Sequence, residues 1–164
     1  MSTNNKNNCP MELVGNWKND RNGKYKISND CSYFIVGTSP YIIDANDILH
    51  YGRDTSYQRT SGNPGSLIGI WVNEEIGEKI TFNGDGTYTG TWLNDGTEYT
   101  GTFVYTDTDI TTTELRVTLQ VNGSNISWIK TDDGTKYFGT FEIISNDKWI
   151  LRLENMDEVT YTRI

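Results

Sequence analysis

The stretch from Leu67 to Phe103 limits the fold more than any other part of the chain, because short alternating runs are separated there by tight-turn dipeptides. The runs are Ile68–Asn73, Lys79–Asn83, Thr87–Leu93 and a fourth that begins at Glu98. Asp85-Gly86 and Asp95-Gly96 separate the last three, and Asp-Gly between alternating segments is the strongest short hairpin signal. The stretch is therefore predicted to form an antiparallel meander.

These runs predict one aromatic and one polar face, because successive side chains of a strand point to opposite sides. In the third run Tyr88, Gly90 and Trp92 share a face, and the positions between them are threonines. The fourth run repeats the pattern with Tyr99 and Phe103. An aromatic face has to be covered, either by closure of the sheet into a barrel or by packing on a second sheet.

The composition favours an all-β protein. The 164 residues include ten Tyr, five Trp and five Phe but only three Pro, and aromatic residues with abundant Thr, Asn and Gly are typical of strands and tight turns. No window has the apolar i, i+3, i+4, i+7 pattern of a long amphipathic helix. A chain of this length is long enough to bury a real hydrophobic core.

The charge pattern argues against nucleic acid and membranes as partners. Lys and Arg number 14 and Asp and Glu 22, which gives a formal net charge of −8; long-range repulsion then disfavours phosphate backbones and anionic membranes. No run approaches the roughly 18 consecutive apolar residues of a membrane span.

The first residues lack the apolar region of a secretory signal, which predicts a cytoplasmic protein. In that compartment Cys9 and Cys31 are expected to be free thiols. If a signal peptide has been removed from the protein, a disulfide between Cys9 and Cys31 is favoured instead.

Residues 1–11 are rich in Asn and are predicted to form a disordered arm. Residues 12–60 contain several very short strands, and Ser61–Gly65 is the only Gly/Pro/Ser cluster, which predicts a linker. The remaining residues, 66–164, are long enough for a complete small barrel.

An internal repeat links these two parts. Leu67–Glu74 matches Leu13–Asp20, and Tyr161–Ile164 matches Tyr57–Thr60. We interpret residues 12–60 as a shortened first copy that extends the barrel, caps it or pairs with another chain. For the second copy, further strands are predicted at Glu98–Tyr105, Glu114–Val121, Ser124–Thr131, Lys136–Ile143, Lys148–Leu153 and Val159–Ile164. The fold class is thus an antiparallel up-and-down β-barrel.

A Gly-x-Trp on the first strand and a Tyr-x-Arg on the last resemble the calycin superfamily, which includes lipocalins, fatty-acid-binding proteins and avidins. The resemblance implies that the tryptophan closes one end of a lipocalin-like barrel and that the arginine lies across its ring. These roles fall to Trp71 with Arg163 and, in the short copy, to Trp17 with Arg59. Guanidinium over indole contributes about 0.5–2 kcal/mol.

Within the superfamily the second copy resembles avidins in five strands, among them Tyr88–Trp92 and Ser127–Lys130. That similarity implies ligand contacts for Asn73, Trp92, Trp128 and Trp149. Two departures argue against biotin. Val159 stands where avidins carry a ligand-binding aspartate, and the first loop carries three glutamates that would repel the biotin carboxylate.

No catalytic motif is complete in the sequence. His50 is the only histidine, which excludes a two-histidine metal site and leaves a Ser-His-Asp arrangement without local support. No metal and no cofactor are expected; Asp107, Asp109 and Glu114 lack the spacing of a calcium loop. Glu78, in a glutamate-rich turn, is expected in a solvated loop, with general acid or base as the alternative.

Three functions follow. The first is a binding protein that encloses a small apolar or aromatic molecule. The predicted ligand-binding residues are Asn73, Tyr88, Trp92, Tyr99, Phe103, Gln120, Trp128, Tyr137, Phe141 and Trp149. The same aromatic residues could instead fill a solid core.

The second function is that of a cofactor-independent isomerase or cyclase that folds a hydrophobic substrate into a reactive pose, with Tyr88 and Glu78 as catalytic candidates. The third is an interaction module whose exposed sheet edge makes a homodimer or binds another chain.

Overall fold

Residues 9–164 are described by a computed structural model and contain fourteen β-strands. The strands are β1 Gly15–Asn19, β2 Lys24–Ile27, β3 Ser32–Ile43, β4 Ile48–Tyr51, β5 Thr55–Ser61, β6 Gly69–Asn73, β7 Glu78–Phe82, β8 Thr87–Trp92, β9 Glu98–Tyr105, β10 Asp109–Asn122, β11 Asn125–Lys130, β12 Lys136–Ser145, β13 Lys148–Leu153 and β14 Val159–Arg163. Within these residues there is no helix with the length and apolarity needed to cross a membrane.

The strands form a closed ring in which each pairs with its neighbours in sequence. Neighbouring strands of the ring run antiparallel, and β1 closes the ring on β14, with Trp17 opposite Arg163. The predicted all-β, antiparallel, up-and-down order is therefore confirmed. Strands β9 and β13 begin and end at the predicted residues.

An additional pairing between β3 and β10 divides the chain in a way that the sequence did not indicate. Unit 1 comprises residues up to Val36 together with Leu115–Ile164, and unit 2 comprises Gly37–Glu114. This division differs from the predicted segments 12–60 and 66–164, and no boundary falls at the predicted linker. The reason is the length of β3 and β10, since each contributes strand residues to both units.

Each unit is by itself a closed circuit of eight strand segments. In unit 1 the first part of β3 meets the last part of β10, where Leu119 donates its backbone N–H to the Cys31 carbonyl at 2.9 Å. In unit 2 the remaining parts meet, and Tyr41 donates its N–H to the Thr108 carbonyl at 3.0 Å.

Each unit has its own hydrophobic core. The core of unit 1 consists of Cys9, Leu13, Trp17, Ile27, Cys31, Tyr33, Val117, Leu119, Ile126, Phe141, Trp149, Leu151 and Tyr161. The core of unit 2 consists of Leu49, Tyr57, Leu67, Trp71, Ile80, Phe82, Tyr88, Phe103 and Ile110. The aromatic residues predicted to share one enclosure are thus distributed over two cores.

The two Gly-x-Trp motifs adopt the same local structure. Trp17 donates its indole N–H to the Leu13 carbonyl at 2.7 Å, and Trp71 donates to the Leu67 carbonyl at 2.9 Å. Both rings are fully buried, and each is covered by an arginine.

The arginine partners are exchanged relative to the prediction. Arg163 lies 4.2 Å above the ring centroid of Trp17, and Arg59 lies 4.1 Å above that of Trp71. The predicted pairs, Trp71 with Arg163 and Trp17 with Arg59, are therefore wrong. The cause is the strand order, because β14 pairs with β1 and β5 pairs with β6.

The cysteine prediction is also wrong, because Cys9 and Cys31 form a disulfide with a Cα–Cα distance of 4.8 Å. Both residues are buried in unit 1. The bridge fixes Cys9, although the composition of residues 1–11 predicts a disordered arm; residues 1–8 of that predicted arm lie outside the described part of the chain. A disulfide is typical of an oxidising compartment, whereas the sequence predicts a cytoplasmic location.

Candidate functional site

A buried carboxylate marks one end of unit 2. Glu78 is the first residue of β7 and is only 7% exposed, because it shares the inner face of the strand with Ile80 and Phe82. The expectation of a solvated loop is therefore wrong for Glu78, although Glu74 and Glu75 are exposed.

Two phenols hold the Glu78 carboxylate. Tyr57 donates its hydroxyl to Oε1 at 2.6 Å, and Tyr99 donates to Oε2 at 2.9 Å. Each carboxylate oxygen therefore has one neutral donor, which offsets part of the cost of burying the charge. Strands β5, β7 and β9 carry the three side chains, so the group depends on closure of the sheet.

Glycine pairs in β8 and β9 make room for the tyrosines. Tyr99 stands opposite Gly90, and Tyr88 stands opposite Gly101. A Cβ atom at Gly90 would overlap the Tyr99 ring, and one at Gly101 would lie 2.7 Å from the ring of Tyr88. The repeated Tyr-Thr-Gly-Thr sequence thus lays each tyrosine across the glycine of the neighbouring strand and directs Tyr99 to Glu78.

Apolar side chains are exposed next to this buried group. Trp92 pairs with Glu78 across β7 and β8, and its ring centroid lies 6.3 Å from that of Tyr99. The exposed fractions are 38% for Trp92, 49% for Ile76 and 49% for Leu93. The turns that carry them are joined, since Leu93 donates its N–H to the Gly77 carbonyl at 2.8 Å. We call Ile76, Glu78, Trp92, Leu93 and Tyr99 the Glu78 site.

Asn73, a predicted ligand contact, supports the Glu78 site rather than facing outward. It is 8% exposed and pairs with Glu78 in the β6–β7 ladder. Its side-chain oxygen accepts the backbone N–H of Ile76 at 3.1 Å, so it orders the turn that presents Ile76.

Tyr88, the other catalytic candidate, does not contact Glu78. Its hydroxyl lies 3.4 Å from Glu114 Oε2, and its ring packs near Phe82 at a centroid distance of 6.2 Å. The ring of Phe103 packs on that of Phe82, with 4.9 Å between the ring centroids. These three rings belong to the core of unit 2, so the structure separates the two predicted catalytic residues.

Burial raises the pKa of Tyr57 and Tyr99, and the neighbouring Glu78 carboxylate raises both pKa values further. Burial also raises the pKa of Tyr33, Tyr88 and Tyr161. A group whose pKa is raised on folding stabilises the fold fully below its unfolded pKa, about 10 for tyrosine, and loses that contribution as the pH rises further.

We therefore expect Tyr33, Tyr57, Tyr88, Tyr99 and Tyr161 to ionise only well above pH 10 and only as the protein unfolds. Absorbance at 295 nm measures the ionisation, and circular dichroism measures the unfolding. Ionisation of all ten tyrosines near pH 10 with the fold intact would contradict the raised pKa values of these five.

The other predicted ligand contacts lie in unit 1. Trp149 is fully buried and stacks on Tyr161 at 4.2 Å, and Phe141 and Trp128 pack in or against the same core. The indole N–H of Trp149 has no hydrogen-bond partner in the described chain. Tyr137 is half-buried opposite Trp128. These four residues belong to unit 1, whereas the residues of the Glu78 site belong to unit 2.

Gln120 lines an open groove of about 740 Å³ in unit 1. Ser127, Phe138 and Arg152 are also in its wall. The Arg152 guanidinium forms salt bridges with Glu142 and Glu158, with N–O distances of 3.1 and 2.8 Å. Its wall combines polar side chains with apolar ones, which include the exposed ring of Phe138.

His50 is part of a hydrogen-bonded chain that the sequence did not predict. Its Nε2 lies 2.8 Å from Asp44 Oδ2, and its Nδ1 lies 3.0 Å from Ser56 Oγ. The hydrogen bond from His50 lowers the pKa of Asp44, together with backbone donors of the turn. The residues are those of a nucleophilic triad, but they lie exposed on a strand pair whose amides form the β4–β5 ladder, so they lack the preorganised donors of an oxyanion hole.

No cluster of three or more metal-ligating side chains occurs among residues 9–164. Asp107, Asp109 and Glu114 are thus not gathered into a cation site.

Comparison with known proteins adds no identification, because no family model, no curated protein and no solved structure matches the chain.

Proposed function

We propose that this protein binds a small apolar or aromatic molecule at the Glu78 site. The observation that carries the proposal is a buried, hydrogen-bonded carboxylate whose partner across the β7–β8 ladder is the partly exposed Trp92. Small-molecule sites are mostly apolar with a few placed polar groups. A buried charge without a cation costs stability, so its presence favours a functional role over a structural one.

We infer that each unit is a lipocalin-like barrel of the calycin type and that the units descend from an internal repeat. The identical tryptophan hydrogen bonds and arginine contacts of the two units support this interpretation. In the repeat, β6 of unit 2 corresponds to β1 of unit 1. Both copies would then be complete, and neither is shortened.

A second candidate function is an isomerase or cyclase that uses the same site. The 2.6 Å hydrogen bond between Tyr57 and Glu78 supports it, because a carboxylate and a phenol in contact can pass a proton to and from a substrate. Turnover of a hydrophobic substrate that is lost in Glu78→Gln would favour this function over binding alone.

The third hypothesis, pairing through a sheet edge, loses its structural basis. Every strand of the described chain has a neighbour on both sides, so an unpaired edge is not offered to another chain. We do not propose edge pairing as the function.

Binding can be tested with Nile red, an uncharged apolar dye, by titration followed in dye and tryptophan fluorescence. We expect saturable binding that is weakened about tenfold in Trp92→Ala, because loss of an aromatic contact costs roughly 1.4 kcal/mol. Phe138→Ala is the matched control, since Phe138 is an exposed aromatic side chain of unit 1. Equal affinity in both variants, or no saturable binding to the wild type, would refute the proposed site.

A further inference from the structure

We propose that the molecule bound at the Glu78 site carries a protonated amine, which sits on the Glu78 carboxylate while its apolar part covers Trp92. This inference rests on the proposed function and specifies the class of ligand. It comes from three independent features of unit 2: the unfilled acceptor capacity of Glu78, the aromatic rings beside it and the charge of the unit.

Glu78 has acceptor capacity that residues 9–164 leave unused. A carboxylate has about four lone-pair sites, and the two phenols occupy one on each oxygen. Within residues 37–114, no Lys, Arg or His forms an ion pair with it, whereas Asp47 is paired with Arg59 and Asp44 with His50. Buried charges are normally paired, so an N–H⁺ donor is the group that the site lacks.

Two aromatic side chains lie beside Glu78. Tyr99 donates its hydroxyl to the carboxylate, and Trp92, the cross-strand partner of Glu78, has its ring centroid 6.3 Å from that of Tyr99. The faces of Trp and Tyr rings attract cations, and more strongly where water is excluded. An ammonium group on Glu78 would be favoured by the carboxylate and the rings together, whereas a carboxylate ligand would be opposed by both.

The net charge of the chain is concentrated in unit 2. Residues 37–114 contain 12 of the 22 Asp and Glu but only 3 of the 14 Lys and Arg, so the rest of the chain holds 10 acidic and 11 basic residues. One of the three basic residues, Arg59, is held by Asp47 over Trp71. A field of one sign raises the local concentration of oppositely charged ligands, which favours cations at unit 2.

The test compares three ligands of nearly the same shape: 2-phenylethylammonium, 2-phenylethanol and 3-phenylpropanoate. Isothermal titration at pH 7 and low salt should give a Kd at least tenfold lower for the ammonium than for the alcohol, with the carboxylate the weakest. Glu78→Gln should reduce the ammonium preference to less than threefold. Glu75→Gln is the matched control, because it removes the same charge from an exposed position of the same turn and should leave the preference above tenfold.

Displacement of Nile red from the wild-type protein gives a second measurement that requires no variant. Displacement by the ammonium at tenfold lower concentration than by the alcohol supports the inference. Equal displacement by the two ligands, or displacement by neither from a site that still binds Nile red, overturns the amine while leaving the proposed binding function in place. Failure of Nile red itself to bind refutes the function and the inference with it.

Discussion

Replacing Trp71 by alanine is expected to lower the free energy of unfolding by about 3–5 kcal/mol, the range typical of a large aromatic side chain removed from a core. Trp71 is fully buried, donates a hydrogen bond to Leu67 and supports the guanidinium of Arg59. Urea unfolding followed by circular dichroism measures the loss. Trp92→Ala is the control and should cost less than about 1 kcal/mol, because Trp92 is partly exposed.

A double-mutant cycle tests the exchanged arginine partners. Arg59→Ala combined with Trp71→Ala should show a coupling free energy of about 0.5–2 kcal/mol. Arg163→Ala combined with Trp71→Ala should show additivity within about 0.5 kcal/mol, because Arg163 covers Trp17 instead. Coupling of Trp71 to Arg163 rather than to Arg59 would contradict the strand order of the ring.

Replacement of both cysteines by serine is expected to destabilise unit 1 by about 3 kcal/mol, the chain-entropy value for a loop of this size. The bridge joins residues 22 positions apart. It holds the segment whose Leu13 and Val14 carbonyls accept hydrogen bonds from Trp17 and Arg163. In unit 2 the matching carbonyls lie on the connection between β5 and β6, so backbone continuity performs the same task there.

The loss of unfolding free energy can be measured by comparing urea unfolding of the oxidised wild type with that of the variant in which both cysteines are serine. A reductant added to the wild type should reproduce the shift and should leave the variant unchanged. If the unfolding free energies of the wild type and the serine variant differ by less than about 1 kcal/mol, the other contacts of the segment before β1 are sufficient to hold it.

Local features of the fold were predictable, because turns and alternation are encoded in neighbouring residues. Asp-Gly dipeptides and alternating runs located β8, β9 and β13 to within a residue. The pairing of β3 with β10 was not predictable in this way, because it joins distant parts of the chain. Two tryptophans and two arginines in matching motifs can be paired in two ways, and the pairing of β14 with β1 and of β5 with β6 decides which arginine covers which tryptophan.

The Glu78 site was predictable in part. The alternation of Glu78, Ile80 and Phe82 is a signal that Glu78 lies on the buried face, but the acidic turn before it suggested solvent. Its phenol partners come from strands 21 residues away in either direction. The repeated glycine and tyrosine pattern indicated an aromatic face, whereas the selection of Tyr99 over Tyr88 as the partner depends on strand register.

The way β3 and β10 serve both units has a consequence for biosynthesis. Unit 2 is one continuous stretch of chain, whereas unit 1 is assembled from the segments before and after it. On the ribosome, unit 2 is complete when Glu114 has emerged, while β1 still waits for β14 and Trp17 for the arginine that follows it by 146 positions (163 − 17). The acidic unit with the Glu78 site can therefore mature first, whereas the disulfide-bearing unit closes only after β14 has been synthesised.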